Sequence, residues 1–169
     1  MKERKQTLAG ALTLENQQTH PVMQHLQREF CNAFVLYCNY KQYHWHISGP
    51  HFHDLHLMFD EFAKGVRKSI DPLAERIRMI GQDIEAKQLE QIQHKASVHS
   101  TAAGQTPREM IEEAGANLLV VIKGMRDGAQ AAEESHDPGT VDLFSKMVQI
   151  HEKHEWFLRQ VLKRNGLNA

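Results

Sequence analysis

"HWHISGPHFHDLHLMFDEF", residues 44–62, holds five histidines in its first thirteen positions, with Gly49-Pro50 in their midst. Glycine suits the left-handed position past a helix end and proline cannot continue the backbone ladder, so the chain reverses here between two helices. Upstream, Pro21 is a good first-turn residue, and Val22, Leu26, Phe30, Ala33, Tyr37, Tyr40 and His44 recur at steps of four and three. This predicts one amphipathic helix over about 21–48. Downstream, Leu55, Phe59, Phe62, Val66, Ile70, Leu73, Ile77 and Ile80 form a second stripe that stops at Gly81, predicting a helix over about 52–80.

Residues 82–105 are polar, with a weak apolar pattern at Leu89, Ile92 and Val98, and read as a long crossover carrying a short helix. Thr106-Pro107-Arg108-Glu109 has the cap, proline and third-position glutamate of a capping box and opens a third helix to about residue 135. His136-Asp137-Pro138-Gly139 reads as a turn. Thr140 then reads as the cap of a fourth helix carrying Val141, Phe144, Val148, His151, Glu155, Leu158 and Leu162, closed by Asn165-Gly166. Two short connections and one long central one describe an all-α fold, a ferritin-like four-helix bundle with a short extra helix in the crossover between helices two and three. The expected organisation is a tail at 1–20, the bundle at 21–165 and a tail at 166–169.

A chain of 169 residues, 41% apolar, supports one domain with one sizeable core. The net charge of -1 and pI near 6.9 give no global basic field of the kind that holds a nucleic-acid backbone. Met1-Lys2-Glu3-Arg4-Lys5 carries three positive charges and reads as a solvated end. No run of eighteen apolar residues occurs and the N-terminus lacks a signal-peptide core, so the expectation is a cytoplasmic protein without a membrane partner. Cys31 and Cys38 lie two helical turns apart, too far for a disulfide, and read as small buried thiols.

On the second helix, at 100° per residue from His56, Asp60 falls near 40°, Asp71 near 60° and Glu75 near 100°, with the apolar stripe centred near -85°. The four ligand-type residues share a stripe beside the core face, together with Lys64 and Arg67. Each i, i+4 pair, His56 with Asp60 and Asp71 with Glu75, can grip one ion. The two pairs cannot share it on one helix, because their centres are about 22 Å apart along the axis. An antiparallel copy of the helix in a second subunit, with the two-fold near Gly65 or Val66, brings each pair to the partner's other pair and makes two equivalent sites. His44 folds back across the Gly49-Pro50 turn to join His56. An imidazole and carboxylate set with few ligands per ion suits Fe(II) or Mn(II) and leaves positions open for an oxidant. The alternatives are that Asp71-Pro72 restarts the helix as cap and first residue, and that Glu75 pairs with Arg67 or Arg76.

With "DPLAER" at 71–76, these residues resemble the Dps family, the DNA-binding proteins from starved cells or mini-ferritins. The match consists of the His-Trp pair, glycine four residues after Trp45, His56 twelve after His44, Asp60 four later, and Asp71 with Glu75 in D-x-x-x-E. It covers about 20–163. The resemblance implies a hollow homododecamer with ferroxidase centres at two-fold interfaces, which oxidises Fe(II) preferentially with hydrogen peroxide and stores ferric mineral. By matching positions, His44, His56 and Asp60 come from one subunit and Asp71 and Glu75 from its mate. The expected metal is iron; whether zinc competes for the same donors is left open by the sequence. Trp45 matches a position near the centre, where an indole can relay an electron; an interface aromatic is the alternative. Two departures stand out. Pro72 follows a ligand position, where it removes a backbone hydrogen bond to Lys68 and kinks the helix. The N-terminal arm is short and barely basic beside the lysine-rich tails of DNA-binding members.

Among the remaining histidines, His53 lies near the ligand stripe as an outer group or entry site, and His46 and His51 read as exposed. His151 and His154, one turn apart, either add an imidazole to the metal site, bind zinc separately, or are hydrogen-bonded core residues. Asp137 and Asp142 are candidates for an acidic three-fold pore, or else serve the helix N-terminus. Two other functions compete. An intrabundle di-metal enzyme needs Glu-x-x-His on two helices, and only Glu133 to His136 fits. A DNA-compacting protein with vestigial metal sites is opposed by the near-zero net charge.

Overall fold

The computed structural model describes residues 21–163. The tails assigned to 1–20 and 166–169, the last two bundle positions and the Asn165-Gly166 stop lie outside the described residues. Five helices follow in order: α1 (Pro21–His46), α2 (Phe52–Met79), α3 (Leu89–Lys95), α4 (Pro107–Glu134) and α5 (Pro138–Lys163). α1 packs on α2 and on α4, α5 packs on α4 and α2, and the short α3 lies against α1. This is the expected four-helix bundle with its extra helix, all-α among the described residues.

The α2 stripe is buried as read. Leu55, Phe59, Phe62, Val66, Leu73, Ile77 and Ile80 are all in the core, with Ile70 partly covered. Tyr40 of α1 meets Phe59 and Phe62 at ring-centroid distances of 6.2 and 5.6 Å, so aromatic packing joins the two helices that carry the histidine-rich turn. Burying each such aromatic contributes about 2–3 kcal/mol.

The polar crossover is held by amides. Gln27 accepts from Glu85 N at 3.1 Å and donates to the Asp83 carbonyl at 2.7 Å. Asn32 accepts from Ser97 N at 2.7 Å, and Asn39 accepts from Thr101 N and donates to the His99 carbonyl. Asn117 of α4 closes on both backbone groups of His99. A long irregular segment carries peptide groups that need partners, and buried amides with both donor and acceptor supply them without adding charge.

Thr106 and Glu109 form the capping box as read, with Thr106 N donating to Glu109 Oε2 at 2.7 Å. The next boundary differs from expectation. Asp137, not Thr140, caps α5: its carboxylate accepts from Thr140 N at 3.0 Å and from the Thr140 hydroxyl at 2.6 Å, with Pro138 as the first helical residue. The α4–α5 connection is therefore only Ser135, His136 and Asp137, turned by the positive φ of 56° at His136. Arg76 of α2 adds an ion pair to the buried Asp137 and a hydrogen bond to Thr140 Oγ1 at 2.9 Å. Asp137 thus serves the α5 N-terminus, the other of the two roles expected of it. Asp142 is exposed and paired with Lys146 at 2.6 Å.

Pro72 lies inside α2, which runs unbroken from Phe52 to Met79. The lost hydrogen bond does not end the helix, so Asp71 is no cap of a restarted one. Cys31 is buried, and burial pushes its thiol up to about 11. Cys38, read as buried, is exposed and lines with Gln42 and His46 a groove of about 540 Å³ between α1 and the crossover.

Candidate metal centre

The chain reversal at 47–51 lays the end of α1 beside the start of α2. His44 Nδ1 donates to the His56 carbonyl at 2.8 Å, and His56 Nδ1 donates to the His44 carbonyl at 2.7 Å. The acceptors are carbonyl oxygens, so each Nδ1 carries a proton, and in the neutral imidazole Nε2 is then the atom with the lone pair. The His44 carbonyl belongs to the last turn of α1, where no intrahelical donor remains, so the His56 ring also closes that helix. The rings stack at 3.7 Å with planes 23° apart, and Phe52 covers His56 at 5.0 Å. A metal-ligating imidazole is ordinarily oriented by such a bond at its other nitrogen; here each histidine orients the other.

Asp60, one turn beyond His56, receives Lys64 at 2.6 Å and Lys41 at 2.9 Å. These two ammonium groups hold its carboxyl well below the usual carboxylate range, so it is an anion at neutral pH. Lys41 also sits 5.5 Å over the ring of Trp45, which is 59% exposed. Reading the sequence did not find Lys41; only the packing of α1 on α2 reveals that it reaches a carboxylate nineteen positions away.

Asp71 and Glu75 are exposed at the far end of α2, and neither makes a hydrogen bond or ion pair with a described residue. The pairing of Glu75 with Arg76 is replaced by the Arg76–Asp137 pair. An unbroken α2 keeps the two ligand pairs about 22 Å apart. The structure therefore brings His44, His56 and Asp60 to one end and leaves Asp71 and Glu75 at the other. Among the described residues of one chain, no three His, Cys, Asp or Glu side chains converge as a metal cage.

His53 is exposed and lies 3.4 Å from Asp54. His46 is exposed with Nδ1 on the Gln42 carbonyl at 2.8 Å. His151 and His154 are core residues. His154 stacks on Phe62 at 3.9 Å and lies against Gly65, a flank of α2 about 130° round the helix from the ligand stripe, and so contributes nothing to that stripe. The hydrogen bonds expected of core histidines are missing at Nδ1 of both.

The chain matches the ferritin-like domain model over residues 23–165 and is a ferritin-like protein. It is 32% identical over 162 residues to DNA protection during starvation protein 1 of Deinococcus radiodurans, covering 92% of this chain and 75% of that one. It is 29% identical to general stress protein 20U of Bacillus subtilis, covering 83% and 97%. Dps from Thermosynechococcus elongatus superposes with a TM-score of 0.83 at 39% identity, covering 95% of this chain and 98% of that chain. Dps from Vibrio cholerae O1, described as a member of a broad superfamily of ferritin-like diiron-carboxylate proteins, does so with a TM-score of 0.79 at 27% identity, covering 84% and 89%. The chain belongs to the Dps family.

Proposed function

We propose that this protein is a ferroxidase and iron store of a homo-oligomer, a dodecamer, in which His44, His56 and Asp60 of one subunit and Asp71 and Glu75 of its mate bind Fe(II) at a two-fold seam. The observation that carries the reading is the reciprocal His44–His56 bond. It turns both Nε2 atoms away from the backbone at the end of α2 that carries Asp60, while two carboxylates unpaired among the described residues wait at the other end of the same helix. Imidazole with carboxylate suits Fe(II), and zinc competes for the same donors.

Two Fe(II) ions give one electron each to hydrogen peroxide, the O–O bond breaks, and two protons complete two waters. Iron oxidation and peroxide removal are then one reaction, and no hydroxyl radical is released; the product Fe(III) is stored as mineral. The protein's contribution is to hold both ions and the oxidant together. The place of action is the cytoplasm, and among the described residues no helix is long and apolar enough to cross a membrane.

Anaerobic Fe(II) titration followed by stoichiometric peroxide tests this, comparing the parent with His56→Ala and Glu75→Ala. Both variants are expected to lose tight Fe(II) binding and fast oxidation; unchanged rates in both would remove the assignment. A second reading is DNA compaction, favoured by the names of relatives such as the Deinococcus protein and by Lys2, Arg4 and Lys5 in the first residues. It is supported if duplex DNA shifts in a gel at physiological salt while iron oxidation stays at the buffer rate.

A further inference from the structure

The core stripe of α5 runs Phe144, Met147, His151, His154 and Leu158, all buried. With Thr140, six residues of the helix are buried, and two of the six are imidazoles, where apolar side chains would pack as well. His151 Nδ1, His154 Nδ1 and the hydroxyl of the fully buried Tyr40 have no hydrogen-bond partner among the described residues. Each such group costs about 1–3 kcal/mol when left unsatisfied, a large sum against a typical domain stability of about 5–15 kcal/mol.

The three groups belong together. Tyr40 lies edge-on to His154 at a centroid distance of 6.3 Å, and His151 lies 6.2 Å from His154 with the rings perpendicular. His154 is clamped between Phe62 and the backbone at Gly65, where an added Cβ would stand 3.2 Å from its Cε1. Burial keeps both imidazoles neutral, so each has a lone pair to offer. Besides burial, His154 acts on His151 and Lys153 acts on His154, both against an added proton.

Removing an ion from water costs more the higher its charge, and two imidazoles and a phenol are neutral donors that offset none of it; a monovalent ion, with half the charge of a divalent one, suits them better. Two imidazoles holding an ion between them at about 2 Å from each nitrogen have centroids about 6 Å apart, which matches the observed spacing. Met147 stands one turn before His151 on the same buried face, and a thioether with imidazole favours copper in its reduced state.

We propose that His151 and His154, with Met147 one turn before His151 on the same buried face and the Tyr40 ring against His154, form a binding site for one Cu(I) ion inside the bundle. This site is separate from the iron seam and independent of the iron reading, since it uses none of the same residues and lies on the other flank of α2.

The test is anaerobic Cu(I) titration of the full-length assembled protein against a colorimetric Cu(I) chelator. Cys38→Ser and His56→Ala remove the exposed thiol and the seam imidazole as rival ligands, and in that background one Cu(I) per chain is retained. Adding His151→Leu, or His154→Leu, weakens retention at least about 100-fold, with circular dichroism showing that the helices persist. Independently, a crystal of the copper-loaded protein shows anomalous scattering at the copper edge between the two rings. Copper held equally well by the leucine variants, no copper held by the background protein, or a map with water alone between the rings overturns the proposal.

Discussion

His44 and His56 each donate the Nδ1 proton to the other's backbone carbonyl, at 2.8 and 2.7 Å, across a turn of five residues. The pair is a ready half of a metal site, and the half it lacks is on the same helix about 22 Å away. If the seam is shared as proposed, defects in the two halves complement each other. His56→Ala and Glu75→Ala homo-oligomers are each inactive in fast iron oxidation. Unfolded together at equal amounts and reassembled, they draw each half at random, so about one site in four is intact. The expected rate is about a quarter of the parent's, read by stopped-flow absorbance of ferric product. No recovery in well-formed mixed shells would place all five residues in some other arrangement.

Lys41 and Lys64 occupy Asp60, and a cation arriving at Asp60 must displace or tolerate them. Two charges about 5 Å apart at a protein surface repel by roughly 1–2 kcal/mol. Lys41→Met is therefore expected to tighten Fe(II) binding by about tenfold, while Lys41→Arg leaves it near the parent value. Anaerobic calorimetric titration measures both. Equal affinity in all three proteins would mean that Lys41 swings away at no cost, and its contact with the Trp45 ring offers it a second seat.

Much of this was legible in the sequence, for reasons that can be named. The helix α2 carries an uninterrupted 3.6-residue stripe, the Thr106–Glu109 box marks a start chemically, and His44, His56 and Asp60 are brought together by spacing and one turn. The misreadings came from choices between equivalent residues. Asp137 and Thr140 can each cap a helix, and Pro138 favours Asp137 by following it directly; reading His-Asp-Pro-Gly as a turn hid this. Lys41, Cys38 and Glu29 depend on how α1 is rotated against its neighbours. Glu29 sits three residues after Leu26 and four before Ala33, so the core stripe pointed at it, but a glutamate is ordinarily assigned to water.

Glu29 is fully buried on α1 and packs so closely on α4 that a Cβ at Gly124 would stand 2.2 Å from its Oε1. Burial pushes its carboxyl up to about 7, against the hydrogen bond from Asn32 at 2.9 Å and the neighbouring Arg28, which both favour the anion. A carboxyl whose folded value is raised binds its proton more tightly folded than unfolded, so stability falls as pH rises from about 4.5 to about 7. The full effect is about 3 kcal/mol. Glu29→Gln keeps the shape and removes the titration. The variant should match the parent near pH 4 and exceed it by about 3 kcal/mol at pH 8 in urea unfolding; a constant difference across that range would contradict a buried titrating acid. Gly124→Ala should destabilise at every pH.

His151 and His154 act in the opposite direction. Burial lowers them from 6.5 to about 3 and about 4, so below pH 6.5 the unfolded chain takes up protons that the folded core refuses. Their contribution is fully present above the unfolded value and is lost as pH falls toward the folded ones. Between pH 7 and pH 5 the loss is about 2 kcal/mol for each, so roughly 3–4 kcal/mol for the pair, and Glu29 regains part of it over the same interval. In metal-free protein, His151→Leu/His154→Leu should therefore be more acid-resistant than the parent, with the gap in urea midpoint widening steadily from pH 7 to pH 5. Glu29→Gln should steepen the parent's acid loss. Parallel pH profiles for the leucine variant and the parent would show that the two imidazoles accept protons in place, as they would if water reached them freely.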